Sequence, residues 1–269
     1  MHLPCGWVGG AGFNGVLIRE RNWAWHMITM KLETARLVRG SETPAGDGKS
    51  GAMRCVLTRA DGTQCAAIIK RMELQRVLAE AFCALLLRGW GLTVPDPYLV
   101  DEDGTIAFAS ADAIYPSLKQ RLGLVDMPEG PAKNALLNLA VQLVAQFKHT
   151  PVALMADEAI DNRDRNLGNI LWDGQDTTWI DHELALGLAQ GLDDVNKLAV
   201  MAGATPHAET VKAASVAAWM AASRDAPNAA AQRCVNTESF AMLVTTRLNG
   251  LGSRILARFP APQDLLSGA

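Results

Sequence analysis

The chain has 269 residues, of which 49% are hydrophobic and 20% are charged, and its formal net charge is -3. This composition excludes a disordered or fibrous chain, and the length suits one large domain or two small lobes. The slight negative charge disfavours nucleic-acid binding, and no apolar run is long enough for a membrane partner. The five cysteines are scattered without metal-binding spacing, which favours a reducing, cytoplasmic location.

The first half of the chain predicts two hairpins around one helix. A loop rich in Gly, Ser, Thr and Asp, Gly40–Gly51, precedes two strand-like runs, Met53–Thr58 and Thr63–Lys70. Apolar residues then recur at helical spacing from Glu73 to Arg88, ahead of a Gly-Trp-Gly stop. A second hairpin is predicted over Tyr98–Ala109, with its turn at an Asp-Gly pair.

The second half predicts mainly helices, interrupted by a loop and a short hairpin. An apolar helix is expected from Pro131 or Ala132 to Phe147, followed by a polar loop over Asp157–Gly168. The third hairpin would pair Asn169–Trp172 with Thr177–Asp181. From Asp193 to Phe259 the pattern is Ala-rich helix.

The change from strands to helices near Ala111–Ser117 predicts a boundary between two lobes of an α+β chain. We expect a small β-rich lobe over residues 31–112 and a mostly α-helical lobe over residues 113–269, with a cleft between them. Residues 1–30 carry no comparable pattern and are expected to form an N-terminal extension.

Polar side chains with hard oxygen atoms converge on the third hairpin. If its turn centres on Gln175, Asn169 lies opposite Asp181 at the open end of the hairpin, and the loop holding Asp164 leads into that end. Two carboxylates and an amide of this kind suit Mg²⁺, which keeps water and phosphate ligands as well. The sequence therefore predicts a magnesium site here.

The spacing of these residues is typical of kinases, in which an Asn follows the catalytic-loop Asp by five residues and a second metal-binding Asp follows a hairpin. Asp164 would orient the acceptor hydroxyl and take its proton, while Asn169 and Asp181 would hold Mg²⁺ against ATP. Arg165 would either contact phosphate or brace the loop. Asp, Asn, Arg and Gly also favour ordinary surface turns, so the loop alone supports a purely structural interpretation equally well.

Two residues upstream fit the same pattern. Lys70 ends a strand, where kinases place the lysine that contacts the nucleotide phosphates, and Glu80 on the next helix is its candidate ion-pair partner. Each residue taken singly also fits a solvated surface position. Their order along the chain, ahead of Asp164, Asn169 and Asp181, favours the kinase interpretation.

The loop before the first hairpin occupies the place of a phosphate-covering loop. The backbone at Gly40 and the hydroxyls of Ser41 and Thr43 could bind the phosphates of the nucleotide. The loop has neither the Walker A spacing nor Gly-x-Gly-x-x-Gly, and a flexible loop is the structural alternative.

Taken together, these motifs resemble those of the HipA-like kinases, bacterial relatives of the serine/threonine kinase toxin HipA. The resemblance runs from about Leu37 to Leu186 and includes Gly40-Ser-Glu-Thr-Pro44, Asp161-Asn-Arg-Asp-Arg165 and Trp179-Ile-Asp-His182. It implies a two-lobed protein-kinase-like fold, ATP and Mg²⁺ as cofactors, and phosphoryl transfer to a Ser or Thr hydroxyl. It also implies Ser41 and Ser50 as candidate autophosphorylation sites and a cognate antitoxin as a candidate partner.

Three functions follow from this resemblance and from the residues. The first is an active protein kinase with a protein substrate, lost when Asp164, Asn169 or Asp181 is changed. The second keeps the fold with a lipid or small-molecule acceptor, and it ranks lower because no basic amphipathic membrane-docking face is present. The third is a pseudokinase that binds nucleotide and acts as an interaction module.

Overall fold

The structure is a computed structural model that describes residues 32–45 and 51–259. The expected extension over residues 1–30 and the candidate phosphosite Ser50 lie outside the described residues. Six strands come first, with helix α1, Leu74–Gly89, between the fourth and the fifth. The strands are β1 Thr34–Leu37, β2 Thr43–Pro44, β3 Met53–Thr58, β4 Gln64–Lys70, β5 Pro97–Glu102 and β6 Thr105–Ala111.

These six strands form one sheet in the order β1-β5-β6-β4-β3-β2. Strand β1 pairs in parallel with β5 and also antiparallel with β3, so five of the strands close into a ring. The ring encloses a core of mostly small side chains from alternate strand positions, because successive residues of a strand face opposite sides. This core is Ala35, Cys55, Leu57, Ala67, Ile69, Tyr98, Val100, Ala107 and Ala109.

The sequence predicted β3, β4, α1 and the β5–β6 hairpin, and the structure confirms these elements. It missed β1, which is only four residues long and needs its partners in the ring to form. The expected loop Gly40–Gly51 also contains the two-residue strand β2, which pairs with β3. Short edge strands of this kind carry too few residues for an alternating pattern to be read.

Helix α1 lies at the centre of the second, larger core. Ten of its sixteen residues are buried, and it packs against β5, β6 and a later helix, Ala226–Arg233. Phe82 contacts Phe240 of the helix Glu238–Leu248, with ring centroids 5.8 Å apart. The helix therefore joins the sheet to the helices that follow it in the chain.

After Ala111 the described chain is mainly helical, with one short hairpin. Helix α4 is the most deeply buried of these helices and contacts α5, α6, α8 and α9. The helices are α2 Leu118–Arg121, α3 Pro131–Gln146, α4 Thr150–Ile160, α5 Lys197–Gly203, α6 Ala208–Ala221, α7 Ala226–Arg233, α8 Glu238–Leu248 and α9 Leu251–Ala257, and the hairpin is β7 Ile170–Trp172 with β8 Thr177–Trp179. None of the helices in the described ranges is long and apolar enough to cross a membrane.

Two predictions about this segment differ from the structure. The polar loop begins at Asp161 rather than Asp157, because α4 continues to Ile160 as an almost wholly buried helix that ends with Asp161 in the left-handed conformation. The β7–β8 hairpin turns at residues 173–176 as expected, but Ile170 pairs with Trp179, so its turn centres between Gly174 and Gln175 and not on Gln175. The Asp173 carboxylate accepts the backbone N–H groups of Gln175 and Asp176 at 2.7 and 2.8 Å and stabilises this turn.

Helix α9 packs against α6 so closely that Gly252 leaves no room for a side chain. A Cβ atom there would lie 2.6 Å from the Trp219 ring, which is held in place by the hydrogen bond from Trp219 Nε1 to the Leu248 carbonyl. We expect Gly252→Ala to lower the free energy of unfolding by about 1–3 kcal/mol, because the overpacking outweighs the better helix propensity of alanine.

Urea unfolding of the two alanine variants would test this packing. Gly203→Ala is the matched control, since Gly203 is also helical and nothing lies within 4 Å of its added Cβ. The control is expected to be neutral or more stable by up to about 1 kcal/mol. Equal stability of the two variants would contradict the close contact.

Candidate active site

A cavity of about 960 Å³ lies beside strands β4 and β6, helix α1 and the β7–β8 hairpin. Both apolar and polar side chains line the cavity. The apolar ones include Ile68, Val94, Phe108, Leu124 and Leu171, and the polar ones include Lys70, Glu80, Asp164, Asn169, Asp181 and Glu183. Five of the residues singled out in the sequence therefore line one cavity, although Lys70 and Asp181 are 111 residues apart.

Arg165 does not line the cavity, but its contacts hold together segments that do. Its side chain is fully buried and makes a bidentate ion pair with Asp157 on α4, at 2.8 and 2.9 Å. Its remaining nitrogen donates to the backbone carbonyls of Asn169 and Ile180, at 3.2 and 2.8 Å. All three guanidinium nitrogens are thus engaged, so Arg165 braces the loop and is not free to contact phosphate.

Asp164 sits at the open edge of the cavity with its backbone held by three asparagines. Its N–H donates to Asn162 Oδ1, and its carbonyl accepts from the side-chain amides of Asn166 and Asn169, each at 3.1 Å. The carboxylate is about a third exposed and pairs with Lys197 Nζ at 3.1 Å. This geometry leaves the carboxylate reachable by an incoming hydroxyl.

Asn169 and Asp181 offer oxygen atoms that fit a magnesium ion. Because Asn169 Nδ2 donates to the Asp164 carbonyl, its Oδ1 is the end left for another ligand, and no described residue donates to it. Asp181 has a left-handed backbone, with φ of 67°, and lines the same cavity. Asn169 faces Ile180, the residue after β8, whose N–H donates to the Asn169 carbonyl, and not Asp181 as predicted.

Lys70 enters the site from the end of β4 and is surrounded by carboxylates. Its ammonium group lies 2.5 Å from Asp181 Oδ1 and 3.3 Å from Glu183 Oε2. Burial by itself lowers the pKa of Lys70, but Glu80, Asp181 and Glu183 together raise that pKa above its usual value. The lysine therefore stays charged and ready to bind an anion.

The expected ion pair between Lys70 and Glu80 is absent from the described residues. Glu80 is 4% exposed and its carboxylate accepts the backbone N–H of His182, so it holds the segment that follows Asp181. Burial raises the pKa of Glu80, and the field of Lys70 opposes this rise. The sequence placed Glu80 on a polar face opposite the apolar stripe, but α1 is buried on that face too.

The residues expected to bind phosphate in the early loop do not line the cavity. The Ser41 hydroxyl donates to the Val38 carbonyl at 2.7 Å and accepts the Val56 N–H at 3.0 Å, so it stabilises the turn after β1. Gly40 belongs to the same turn, with φ of 78°, and Thr43 is exposed on β2. Among the described residues, Ala45 in this loop and Ala52 just after it line the cavity.

Sequence reasoning missed three charged residues of the site. Asp157 was assigned to the loop, while Lys197 and Glu183 received no role. Glu183 follows Asp181 by two residues, and this closeness was the one signal in the sequence that could have found it. Lys197 begins α5, which Asn196 anchors by capping Ala199 N and donating to the Leu154 carbonyl at 3.0 Å. No local sequence pattern links Lys197 to Asp164, which lies 33 residues earlier in the chain.

Comparisons with known proteins show which solved structures have a similar fold. No family model and no curated protein matches the sequence. The crystal structure of the Helicobacter pylori proinflammatory kinase CtkA superposes with a TM-score of 0.54 at 13% identity, over 86% of this chain and 96% of that one. The chain has a kinase fold.

A second solved structure supports the same assignment. HipA of Shewanella oneidensis MR-1, in complex with HipB and operator DNA, gives a TM-score of 0.50 at 13% identity, over 80% of this chain and 66% of the HipA chain. The relationship to HipA-like kinases that the motifs predicted is confirmed at the level of the fold, a mixture of strands and helices like theirs. The identity is too low for either neighbour to assign activity or residue roles.

The ion pair of Arg165 with Asp157 gives the first prediction for the site. We expect Arg165→Met to lower the free energy of unfolding by about 3–5 kcal/mol, because it leaves the buried Asp157 charge without a partner. Chemical denaturation would measure the change. The control Arg88→Met removes an ion pair with Asp96 in which both side chains are exposed, and it should cost no more than about 1 kcal/mol. Equal losses would contradict the bracing role.

His182 gives a prediction about acid stability. Burial, aided by the nearby cations Arg165 and Lys70, holds the pKa of His182 well below its ordinary value. The unfolded chain binds a proton at this histidine below about pH 6.5 and the folded chain does not, so stability falls as the pH drops. Between pH 6.5 and 5, His182 is expected to lower the free energy of unfolding by up to about 1.4 kcal/mol for each unit that the pH falls. The variant His182→Gln is expected to lack this part of the pH dependence. Urea unfolding of both proteins in EDTA at several pH values would measure this dependence. The same change of unfolding free energy with pH in wild type and His182→Gln would contradict the lowered pKa of His182.

Proposed function

We propose that this protein is a Mg²⁺-dependent kinase that transfers the γ-phosphate of ATP to a Ser or Thr hydroxyl of a protein. The observation that carries the proposal is the convergence of Lys70, Asp164, Asn169 and Asp181 on one cavity. These residues come from three separate stretches of chain, and their chemistry matches the parts that phosphoryl transfer needs. The shared fold with CtkA and HipA supports it.

The lining of the cavity suits both parts of a nucleotide. Its apolar side chains, which include Ile68, Val94 and Leu171, would contact the adenine ring. The charged Lys70 would bind phosphate oxygens. The volume of about 960 Å³ leaves room for an acceptor group beside the nucleotide.

Each polar residue then has one task. Asn169 Oδ1 and the Asp181 carboxylate would hold Mg²⁺, which neutralises charge that builds up on the transferring phosphoryl group. Asp164 would orient the acceptor hydroxyl and accept its proton. Arg165 keeps Asn169 and the strand before Asp181 together through their backbone carbonyls. Catalysis of this kind is mostly positioning and electrostatics.

The organisation of the chain and its partners belong to the same proposal. We infer that residues 31–112 and 113–269 are the two lobes of the kinase, with the cavity at their junction, and that residues 1–30 are an extension. The HipA structure contains HipB and operator DNA, and we infer a cognate antitoxin-like protein as a partner here, in the cytoplasm and without direct nucleic-acid contact by this chain.

The proposal predicts phosphoryl transfer that depends on Mg²⁺ and on Asp164. Purified protein would be incubated with Mg-ATP and a panel of proteins, lipids and small molecules, and the masses of the protein and of each acceptor recorded. Asp164→Asn is expected to lower the rate about 10²–10⁴-fold, because it removes the proton acceptor. Asp181→Asn is expected to abolish both transfer and Mg-dependent ATP binding.

The matched control is Asp176→Asn, which removes an exposed carboxylate at the turn of the same hairpin and should leave the rate unchanged. Full activity of Asp181→Asn would overturn the assignment of the metal site. Transfer to lipids or small molecules alone would replace the protein acceptor. Mg-ATP binding without transfer to any acceptor would indicate a nucleotide-binding pseudokinase.

A further inference from the structure

Glu183 is a charged residue of the cavity that the kinase pattern leaves without a task. It follows Asp181 by two residues, and its side chain is 16% exposed. Its Oε2 atom lies 3.3 Å from Lys70 Nζ, within ion-pair distance. The structure thus gives the phosphate-binding lysine two carboxylate partners, Asp181 and Glu183.

Glu80 makes no ion pair with Lys70, although helix α1 brings it into the same cavity and its charge helps to keep Lys70 protonated. One of its oxygens accepts the backbone N–H of His182, and the other lies 3.9 Å from His182 Nδ1. No described ion pair joins it to Lys70. Moving Glu80 to the lysine would break its bond to the N–H of His182, and an unpaired buried N–H is costly.

Asp181 is also unsuited to this task once the nucleotide is bound. Its carboxylate is one of the two protein ligands of Mg²⁺ in the proposed site. An ammonium group and a divalent cation repel each other strongly in a partly buried site, where the effective dielectric constant is low. Lys70 must therefore move from Asp181 towards the phosphates when the metal binds, and Glu183 is the carboxylate that remains beside it.

We propose that Glu183 is the positioning residue that holds Lys70 against the nucleotide phosphates once Asp181 has bound Mg²⁺. Glu183 takes the role that was predicted for Glu80, and it does so from the segment after Asp181 instead of from helix α1. The inference rests on the proposed function, since it needs a bound nucleotide.

This role makes a selective prediction about ligands. Glu183 acts on the phosphates only through Lys70, so its loss should weaken ligands that carry phosphates and spare the nucleoside. We expect Glu183→Gln, which keeps the shape and removes the charge, to weaken Mg-ATP binding about tenfold. Adenosine binding should stay within about twofold of wild type, because adenosine has no group for Lys70 to bind.

Calorimetric titration of the full chain with Mg-ATP, Mg-ADP and adenosine would measure these affinities. A double-mutant cycle with Lys70→Met separates positioning from a general structural effect. If Glu183 acts through Lys70, Glu183→Gln has no further effect on Mg-ATP binding when Lys70 is already methionine. The control Glu209→Gln removes an exposed glutamate that pairs with Lys212 at 2.6 Å, and it should bind all three ligands like wild type.

Several outcomes would overturn the inference. These are unchanged Mg-ATP affinity in Glu183→Gln, equal weakening of adenosine, and additive effects in the cycle. Glu183→Asp keeps the charge and should retain more Mg-ATP affinity than Glu183→Gln, which provides a second test if the Gln variant does not fold. Wild-type protein that fails to bind Mg-ATP would overturn the proposed function as well, whereas wild-type binding that Glu183→Gln leaves unchanged would overturn this inference alone.

Discussion

The buried ion pair between Arg165 and Asp157 connects the parts of the molecule that the site depends on. Asp157 lies on α4, the buried centre of the helical region, and Arg165 lies in the loop that carries Asp164. The same guanidinium group donates to the carbonyls of Asn169, just before β7, and Ile180, just after β8. The Trp179 ring packs on it, with the guanidinium carbon 5.4 Å from the ring centroid. A single charged side chain thus fixes the distance between the catalytic loop and both strands that present the proposed metal ligands.

Lys70 lies among carboxylates in this cavity. Glu80, Asp181 and Glu183 all act on its ammonium group and keep it protonated. Carboxylates held close together repel one another, and a cation relieves that repulsion. In the proposed function, a divalent cation would add to this relief and would bring the phosphates of a nucleotide into the site.

The Ala-rich helices at the end of the chain carry no catalytic motif, yet they support the catalytic loop. Arg247 on α8 and Arg258 after α9 both contact Glu158, a buried residue next to Asp157. Arg247 also pairs with Asp161 at the start of the loop, at 3.2 Å, and Arg258 pairs with Asp194 ahead of α5. Changes in these distant helices can therefore reach Asp164 by two routes, through Asp161 in its own loop and through Asp194, which lies shortly before its ion-pair partner Lys197. The close packing at Gly252 sets how α9 lies against α6 and so contributes to this support.

The sequence by itself determined the elements whose signals are local. Strand-like runs separated by turn residues indicated β3 with β4 and β7 with β8, and apolar periodicity indicated α1. Tertiary structure alone decided which carboxylate meets Lys70, because side chains 111 and 113 residues from it compete with Glu80 only once the chain has folded. It also decided that Arg165 is a brace, since its partner Asp157 lies on a helix whose extent depends on burial. Charge partners and helix ends are set by what surrounds them in space, and spacing along the chain does not encode that.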